Sequence, residues 1–154
     1  MSHSYTKIWI HAVFGTKNFD PMIHQQLESS LHRHIRDHLE IDFESDVRAI
    51  NGMPDHLHIL FRLNPNYSVK DILKNIKGES SHWVNQGDFT KIKFAWQTGY
   101  GAFSVSESIA QKVCSYIGNQ KAHHRVKSFL EEYEEFMKKH GLPLPGETDK
   151  SVSE

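Results

Sequence analysis

Residues 56–63, HLHILFRL, limit the possible fold more than any other segment of the chain. Leu57, Ile59 and Phe61 occupy every second position, the period of a β-strand that packs one face on a core. His56 and His58 occupy the alternate positions, so in a strand both imidazoles project side by side from the opposite face. The segment therefore predicts a sheet with a core on one face and a ligand or further helices on the other.

The His-x-His spacing carries little weight by itself, because histidine is frequent in this chain. With 12 histidines in 154 residues, about one such pair is expected by chance, and the sequence holds two. The second pair, His32 and His34, lies in a helical pattern, where side chains two positions apart diverge by roughly 200° and cannot share a metal. We interpret that pair as a solvated helix face.

The periodicities predict the element order β-α-β-β-α-β-α-α. Strands are predicted over 5–17, 41–52, 56–63 and 94–106, and helices over 21–38, 68–85, 106–120 and 122–140. Two helices on one face of an antiparallel sheet give an α+β, ferredoxin-like (RRM-like) fold. The histidine pair is expected on a central strand, and Ser68 is expected to cap the second helix.

The predicted helices carry apolar stripes that should face the core. They are Ile23, Leu27, Leu31 and Ile35 in the first helix, Ile72, Leu73 and Ile76 in the second, and Ile109, Val113 and Ile117 in the third. At 38% hydrophobic residues, the composition is ample for one core. We therefore expect a single domain over 1–141, followed by a polar, flexible tail over 142–154.

Charge, cysteine content and hydropathy narrow the class of protein. A formal net charge of −1 argues against a uniformly basic surface for duplex DNA, although local basic patches can still contact nucleic acid. The single cysteine, Cys114, cannot form an internal disulfide, which fits a reducing cytosol. The sequence contains no run of about 18 apolar residues, the length that a membrane-spanning helix needs. A cytoplasmic location is therefore expected.

Residues 115–120, SYIGNQ, supply a candidate nucleophile and a candidate third metal ligand. Tyr116 and Gln120 are four residues apart on a predicted helix and therefore share one face. A helix laid over the histidines could bring the amide oxygen of Gln120 to a metal and the phenol of Tyr116 beside it. This set suits nucleophilic attack on a phosphodiester, which a divalent ion assists by polarising the phosphate. The alternative for Tyr116 is a half-buried helix tyrosine without a catalytic role.

Four segments occur in the order MPDHLHIL, LKNIKGESS, WQTGYGAFSVS and YIGNQKAHH. From about Tyr5 to Tyr133, the chain resembles the single-tyrosine HUH transposases of small bacterial insertion sequences, including the related REP-associated tyrosine transposases. The resemblance implies that His56, His58 and Gln120 bind Mg²⁺ or Mn²⁺, and that Tyr116 is the catalytic nucleophile. Two nitrogen ligands favour manganese in vitro.

The resemblance also implies an activity and partners. Family members cleave and rejoin single-stranded DNA through a 5′-phosphotyrosine and recognise hairpins at the ends of their element, so nucleoid association is expected during activity. Many are homodimers that exchange tyrosine helices, and the REP-associated branch includes monomers. Basic residues that could follow the DNA backbone are Lys70, Lys74, Lys77, Lys121, Arg125 and Lys127, with His123 and His124 beside them.

Two further functions remain open from the sequence. A domesticated relative would bind hairpins or RNA on its sheet without metal and without any need for Tyr116. A metal-dependent hydrolase would use water as its nucleophile and form no protein–DNA adduct. Trp83, Trp96 and Tyr100 could stack on unpaired bases, although large aromatic residues are more often part of a core. Gly118 could mark either a flexible point in the tyrosine arm or a close helix contact.

Overall fold

The fold is built from four strands and five helices in the part of the chain that the structure, a computed structural model, describes: residues 3–124 and 127–142. The elements are β1 (Trp9–Gly15), α1 (Gln25–Asp37), β2 (Val47–Met53), β3 (His56–Arg62), α2 (Val69–Gln86), β4 (Gly101–Val105), α3 (Ala110–Gly118), α4 (Gln120–His123) and α5 (Phe129–Lys139). The first six follow the predicted β-α-β-β-α-β order.

The four strands form one antiparallel sheet in the order β2-β3-β1-β4. This is the strand order of a ferredoxin-like α+β fold, which confirms the predicted class. β3 lies between β2 and β1, as predicted. His58 is paired with Val13 of β1 on one side and with Asn51 of β2 on the other. The histidine pair therefore lies on a central strand, at the end of the sheet where β3 begins.

One face of the sheet packs against α1 and α2 and forms the main core. Leu57, Ile59 and Phe61 of β3 are fully buried there, as their period-two spacing predicted. The predicted apolar stripes are buried as well: Leu27, Leu31 and Ile35 of α1 and Ile72, Leu73 and Ile76 of α2. Ile23 is also buried but precedes the helix, because α1 begins at Gln25 rather than at 21. Each such side chain contributes roughly 1.5–3 kcal/mol on burial, so this layer holds the histidine strand rigidly.

The opposite face of the sheet is partly covered by α3. Ala110 and Ile117 of α3 are buried in a second apolar cluster with Trp9 and Leu60. The prediction that Ile109 faces inward is wrong, because this side chain is 45% exposed. Glu107–Ile109 form a 3₁₀ turn before α3, and its tighter winding changes the phase so that Ala110 takes the inward position.

The boundaries of three predicted strands are also wrong. The first, predicted over 5–17, is limited to Trp9–Gly15. The second strand starts at Val47 rather than at 41, because residues 38–42 continue α1 as a π-helical turn that buries Leu39. The fourth strand is limited to Gly101–Val105. Trp96 forms only an isolated bridge to Thr16, and Gly99 has φ +87°, a left-handed conformation that interrupts an extended chain.

Serine caps set the starts of two helices. The hydroxyl of Ser68 accepts a hydrogen bond from the backbone N–H of Asp71 at α2, as predicted. The hydroxyl of Ser128 accepts one from Glu131 at α5. The last predicted helix, 122–140, is therefore too long, since α5 begins at Phe129.

The chain divides into two compact units, residues 1–120 and residues 121–154. The first contains the whole sheet with α1, α2 and α3, and the second contains α5. The single domain expected over 1–141 stays a prediction, and the tail expected over 142–154 lies outside the described residues except for Leu142. Among the residues described, no helix combines the length and the apolar character that crossing a membrane requires.

Candidate active site

His56 and His58 project from the face of β3 that is opposite to the main core. Both side chains are fully buried, and their ring centroids are 5.2 Å apart with the planes at 78°. Their period-two spacing on a strand brings the rings side by side, as the sequence predicted. The two imidazoles thus form a preformed pair that packing on both strand neighbours keeps in place.

The ring of His56 has a partner at each nitrogen. Its Nδ1 atom lies 2.7 Å from Oδ1 of Asp55, and its Nε2 atom lies 3.0 Å from Oε1 of Gln120. When Nδ1–H donates to the Asp55 carboxylate, Nε2 presents its lone pair toward the amide oxygen of Gln120. Two electron-pair donors then face each other, the arrangement of two ligands that share one cation.

The donor set fits a divalent ion. Adjacent ligand atoms of an octahedral ion with bonds near 2.1 Å lie about 3 Å apart, close to the separation between His56 Nε2 and Gln120 Oε1. A carboxylate on the second nitrogen of a ligating histidine, here Asp55, is also typical of metal sites.

Tyr116 lies beside the histidines on α3. Its ring centroid is 5.8 Å from that of His58, and its side chain is half-buried against the second apolar cluster. The predicted continuous helix from Tyr116 to Gln120 is wrong, because α3 ends at Gly118 and Gln120 begins α4. Glycine and asparagine at 118 and 119 favour this ending. The phenol and the amide nevertheless both reach the histidine face.

The end of α3 is bonded to the strand next to the histidines. The side-chain amide of Asn51, on β2, donates to the carbonyl oxygens of Ile117 at 3.1 Å and Gly118 at 3.2 Å. These are carbonyls of the last turn of the helix, which lack partners within it. Because Asn51 is paired with His58 in the sheet, this contact links the tyrosine helix to the histidine strand.

Three residues of this site were missed in the sequence: Asp55, Asn51 and His11. His11 is buried on β1, and its Nε2 atom is 2.8 Å from Nδ1 of His58. A histidine on the same strand face as Trp9 and Val13 was a usable signal, since a polar side chain inside an apolar strand needs a partner. The identity of that partner depends on the strand order, which the sequence does not give.

The predicted DNA-contacting residues lie in different environments. Lys70 and Lys74 are exposed on α2, which packs on the face of the sheet opposite to the histidines, and Lys121 is also exposed. The ammonium of Lys77 donates to the carbonyls of Gln97 at 2.7 Å and Gly99 at 2.6 Å, and burial lowers the pKa of this side chain. Lys77 therefore joins α2 to the loop before β4.

The remaining predicted contacts lie beyond residue 120. Lys127 donates to the carboxylate of Glu135, and His123 and His124 lie 3.5 and 3.3 Å from the buried Glu132. These contacts partly neutralise the positive charge expected there. Arg125 lies outside the described residues.

The large aromatic residues belong to the core rather than to an open stacking surface. Trp83, Trp96 and Tyr100 are partly buried and pack against the main core cluster. Trp83 is also stacked on His34 with ring centroids 4.3 Å apart, and Nε2 of His34 lies 2.6 Å from Glu79. His34 therefore has a packing role on the helix face that the sequence predicted to be solvated.

Comparisons with known proteins indicate the family of the chain. Residues 4–120, about three quarters of the chain, match a family model described as "Transposase IS200 like". ISDra2 transposase TnpA of Deinococcus radiodurans is 28% identical over an alignment of 93 residues, and the match covers 51% of this chain and 66% of that protein. The chain thus covers just under two thirds of the length of that curated relative.

Two solved structures share the fold. A candidate transposase from Deinococcus radiodurans superposes with a TM-score of 0.57 at 22% identity, covering 78% of this chain and 96% of that one. A REP-associated tyrosine transposase bound to a REP hairpin superposes with a TM-score of 0.59 at 16% identity, covering 99% of this chain and 93% of that one. At these identities, the likeness concerns the fold alone.

Proposed function

The chain belongs to the family of IS200-like transposases, and from this premise we propose that it cleaves and rejoins single-stranded DNA through a transient covalent bond to Tyr116. The proposed bond is a 5′-phosphotyrosine, and the proposed targets are the ends of a mobile element. In this reaction His56, His58 and Gln120 hold a divalent ion, with Mn²⁺ or Mg²⁺ as the candidates.

One observation carries the proposal. Nε2 of His56 lies 3.0 Å from Oε1 of Gln120, and the ring of Tyr116 lies 5.8 Å from that of His58 on the same face of the sheet. A nucleophile, two imidazoles and an amide oxygen therefore converge within one compact unit, although they come from distant segments. This combination suits tyrosine attack on a phosphodiester, because a divalent ion held there can activate the phosphate.

The proposed reaction proceeds by two phosphoryl transfers. The phenol oxygen of Tyr116 attacks the scissile phosphorus, its proton passes to solvent water, and the bond from phosphorus to the 3′ oxygen breaks. The leaving strand takes up a proton and ends in a 3′-hydroxyl, while the other strand stays on Tyr116. A divalent ion, when bound, polarises the phosphate and offsets its developing charge. Attack by a 3′-hydroxyl on the phosphotyrosine reverses these steps without ATP.

The chain's own residues prepare Tyr116 for this task. The half-buried phenol is held against the sheet by the apolar cluster around Leu60 and Val105. Asn51 fixes the end of the helix that carries it, and Asp55 orients the ring of His56. Such prepositioning of the reacting groups lowers the entropic cost of attack.

The proposed substrate is single-stranded DNA with an adjacent hairpin. Support comes from the fold relative that is described as bound to a REP hairpin. The exposed Lys70, Lys74 and Lys121 are candidates for phosphate contacts, and Arg125 and Lys127 remain candidates too. Each true phosphate contact should contribute about 0.7 to the salt-dependence slope on single strands.

A homodimer with exchanged tyrosine helices also stays a prediction. The ring of Tyr116 lies beside His58 of the same chain, so use within one subunit and exchange between subunits are both to be tested. Mixing a His56→Ala/His58→Ala variant with a Tyr116→Phe variant separates the two possibilities. Recovered cleavage would support exchange between subunits, whereas absence of cleavage in the mixture would support use within one subunit.

The proposed function is tested with single strands copied from the DNA that flanks the gene. These strands are incubated with protein and Mn²⁺ and run on a denaturing gel. We expect a covalent protein–DNA adduct that is lost in Tyr116→Phe and without metal. Cleavage without an adduct would instead support a water-using hydrolase. Binding without cleavage, on both strands and both flanks, would support a domesticated binding protein.

A further inference from the structure

We propose that His11 is a positioning residue that holds the imidazole of His58 in the tautomer and orientation needed for metal binding. The inference rests on the proposed function, because it takes His58 as a metal ligand. It adds a third histidine to the site, from β1, that acts through His58 rather than on the metal or the DNA.

The position of His11 follows from the strand register. β1 pairs with β3 so that Val13 lies opposite His58 and His11 lies opposite Leu60. His11 and His58 are therefore diagonal neighbours on the same face of the sheet, within reach of each other's rings. Nε2 of His11 is 2.8 Å from Nδ1 of His58, and the centroids are 5.1 Å apart.

The hydrogen bond between the two rings fixes which nitrogen of His58 faces the metal. Two neutral imidazoles can form this bond only when one nitrogen donates and the other accepts. If Nδ1 of His58 carries the hydrogen and donates to Nε2 of His11, then Nε2 of His58 keeps its lone pair for a metal. His11 must then carry its own hydrogen on Nδ1. Partners of this kind orient a ligating histidine and raise its basicity.

The surroundings of His11 make it a rigid partner. Its side chain is only 3% exposed. The ring meets Phe103, its register partner on β4, and Tyr116 on α3, each edge-on with centroids 6.4 Å away. Because neighbouring rings contact His11 on three sides, its ring cannot rotate freely, and its hydrogen bond therefore fixes the orientation of the His58 ring. The residue thus also contacts the nucleophile that the histidines serve.

The choice of histidine over an acidic residue at this position has an electrostatic reason. His56 already has the carboxylate of Asp55 on its Nδ1 atom. A second carboxylate on His58 would add another negative charge close to a phosphodiester that must approach. An imidazole accepts the same hydrogen bond as a neutral group, so it orients His58 without repelling the substrate.

The first test is a Mn²⁺ titration by calorimetry of the wild-type protein and three variants. His11→Phe keeps a ring of similar size but removes the hydrogen bond, and we expect it to weaken Mn²⁺ affinity about 10–100-fold. His11→Gln keeps an acceptor and should restore part of the affinity. Val13→Ala is the matched control, since it removes buried volume next to His58 and should lower stability without lowering Mn²⁺ affinity.

The second test uses only the wild-type protein, so it does not depend on whether a variant folds. Long-range proton–nitrogen NMR of the imidazoles, with and without diamagnetic Mg²⁺, reports the tautomers. We expect the hydrogen on Nδ1 in both His58 and His11. A hydrogen on Nε2 of His58 would overturn the inference.

The outcomes separate this inference from the proposed function. If the wild-type protein takes up no Mn²⁺, or if His58→Ala binds it as well as the wild type does, the proposed metal site fails. If wild-type binding depends on His58 but His11→Phe binds Mn²⁺ with unchanged affinity, only the role of His11 is overturned. A loss of affinity in His11→Phe equal to that in Val13→Ala would likewise reduce His11 to a packing residue.

Discussion

Nε2 of His56 and Oε1 of Gln120 lie 3.0 Å apart, although 64 residues separate them in the chain. Both side chains are fully buried, so their contact is fixed by the surrounding packing. If Nδ1–H of His56 donates to the Asp55 carboxylate, both facing atoms carry lone pairs, and a cation bound between them would satisfy both.

We expect Gln120→Ala to weaken Mn²⁺ binding by about tenfold or more, because the site loses one of its three proposed ligands. Adduct formation with single-stranded DNA should fall in parallel and recover partly at high Mn²⁺ concentration. Calorimetry and the adduct gel measure the two effects. Gln26→Ala, at an exposed position of α1, is the control. Equal Mn²⁺ affinity in both variants would remove Gln120 from the ligand set.

Asn51 provides a test of how the tyrosine helix is held. Asn51→Asp keeps the size of the side chain but replaces the donor by an acceptor that faces the carbonyls of Ile117 and Gly118. We expect a loss of about 1–3 kcal/mol in the free energy of unfolding and a slower cleavage rate, with Mn²⁺ affinity retained. Urea unfolding and single-turnover cleavage measure these quantities. Unchanged cleavage would show that Asn51 does not position Tyr116.

Gly118 tests whether the tyrosine arm needs to bend. A Cβ added here would meet no atom within 4 Å among the described residues, so close packing does not explain this glycine. Gly118→Ala should therefore fold and gain up to about 1 kcal/mol in stability. If the arm moves between cleavage and rejoining, we expect rejoining to slow. A melting curve measures the stability of the variant, and a two-strand assay measures rejoining. Unchanged cleavage and rejoining would rule out a hinge at Gly118.

Lys77 is expected to differ from Lys74 on the same helix. The ammonium of Lys77 bonds the carbonyls of Gln97 and Gly99, whereas Lys74 is exposed. Lys77→Met should therefore lower the free energy of unfolding. Lys74→Met should leave stability unchanged and, if Lys74 contacts a phosphate, reduce the salt-dependence slope by about 0.7. Unchanged stability in Lys77→Met would contradict the structural role of Lys77.

Burial also makes the contribution of Lys77 depend on pH. It lowers the pKa of Lys77 below its ordinary value of 10.5, so the unfolded chain holds this proton more tightly than the folded chain. Stability supplied by Lys77 should therefore increase as pH rises from its lowered pKa to 10.5. The difference in unfolding free energy between wild type and Lys77→Met, measured across alkaline pH, should grow in that window. A flat difference would contradict the expected shift.

The amino-acid sequence by itself determined the strand that presents the candidate site. Alternation is a local property of an extended chain, so the spacing of His56, Leu57 and His58 was enough to separate the histidine face from the core face. The helix stripes and the Ser68 cap were predictable for the same reason, because each depends on residues within a few positions of one another. The four segments of family resemblance gave the candidate residues.

Only the tertiary structure decided what meets the histidines. His11 reaches His58 across 47 residues and Asn51 reaches Ile117 across 66, and both contacts depend on the register and packing of distant segments. No local pattern encodes such a register, because many pairings satisfy the same alternation. Ile109 and the break at Gly118 were mispredicted for a related reason. A single tight turn or helix end changes which side chains face inward. Tertiary packing, rather than the local sequence, determines where such a turn or helix end occurs.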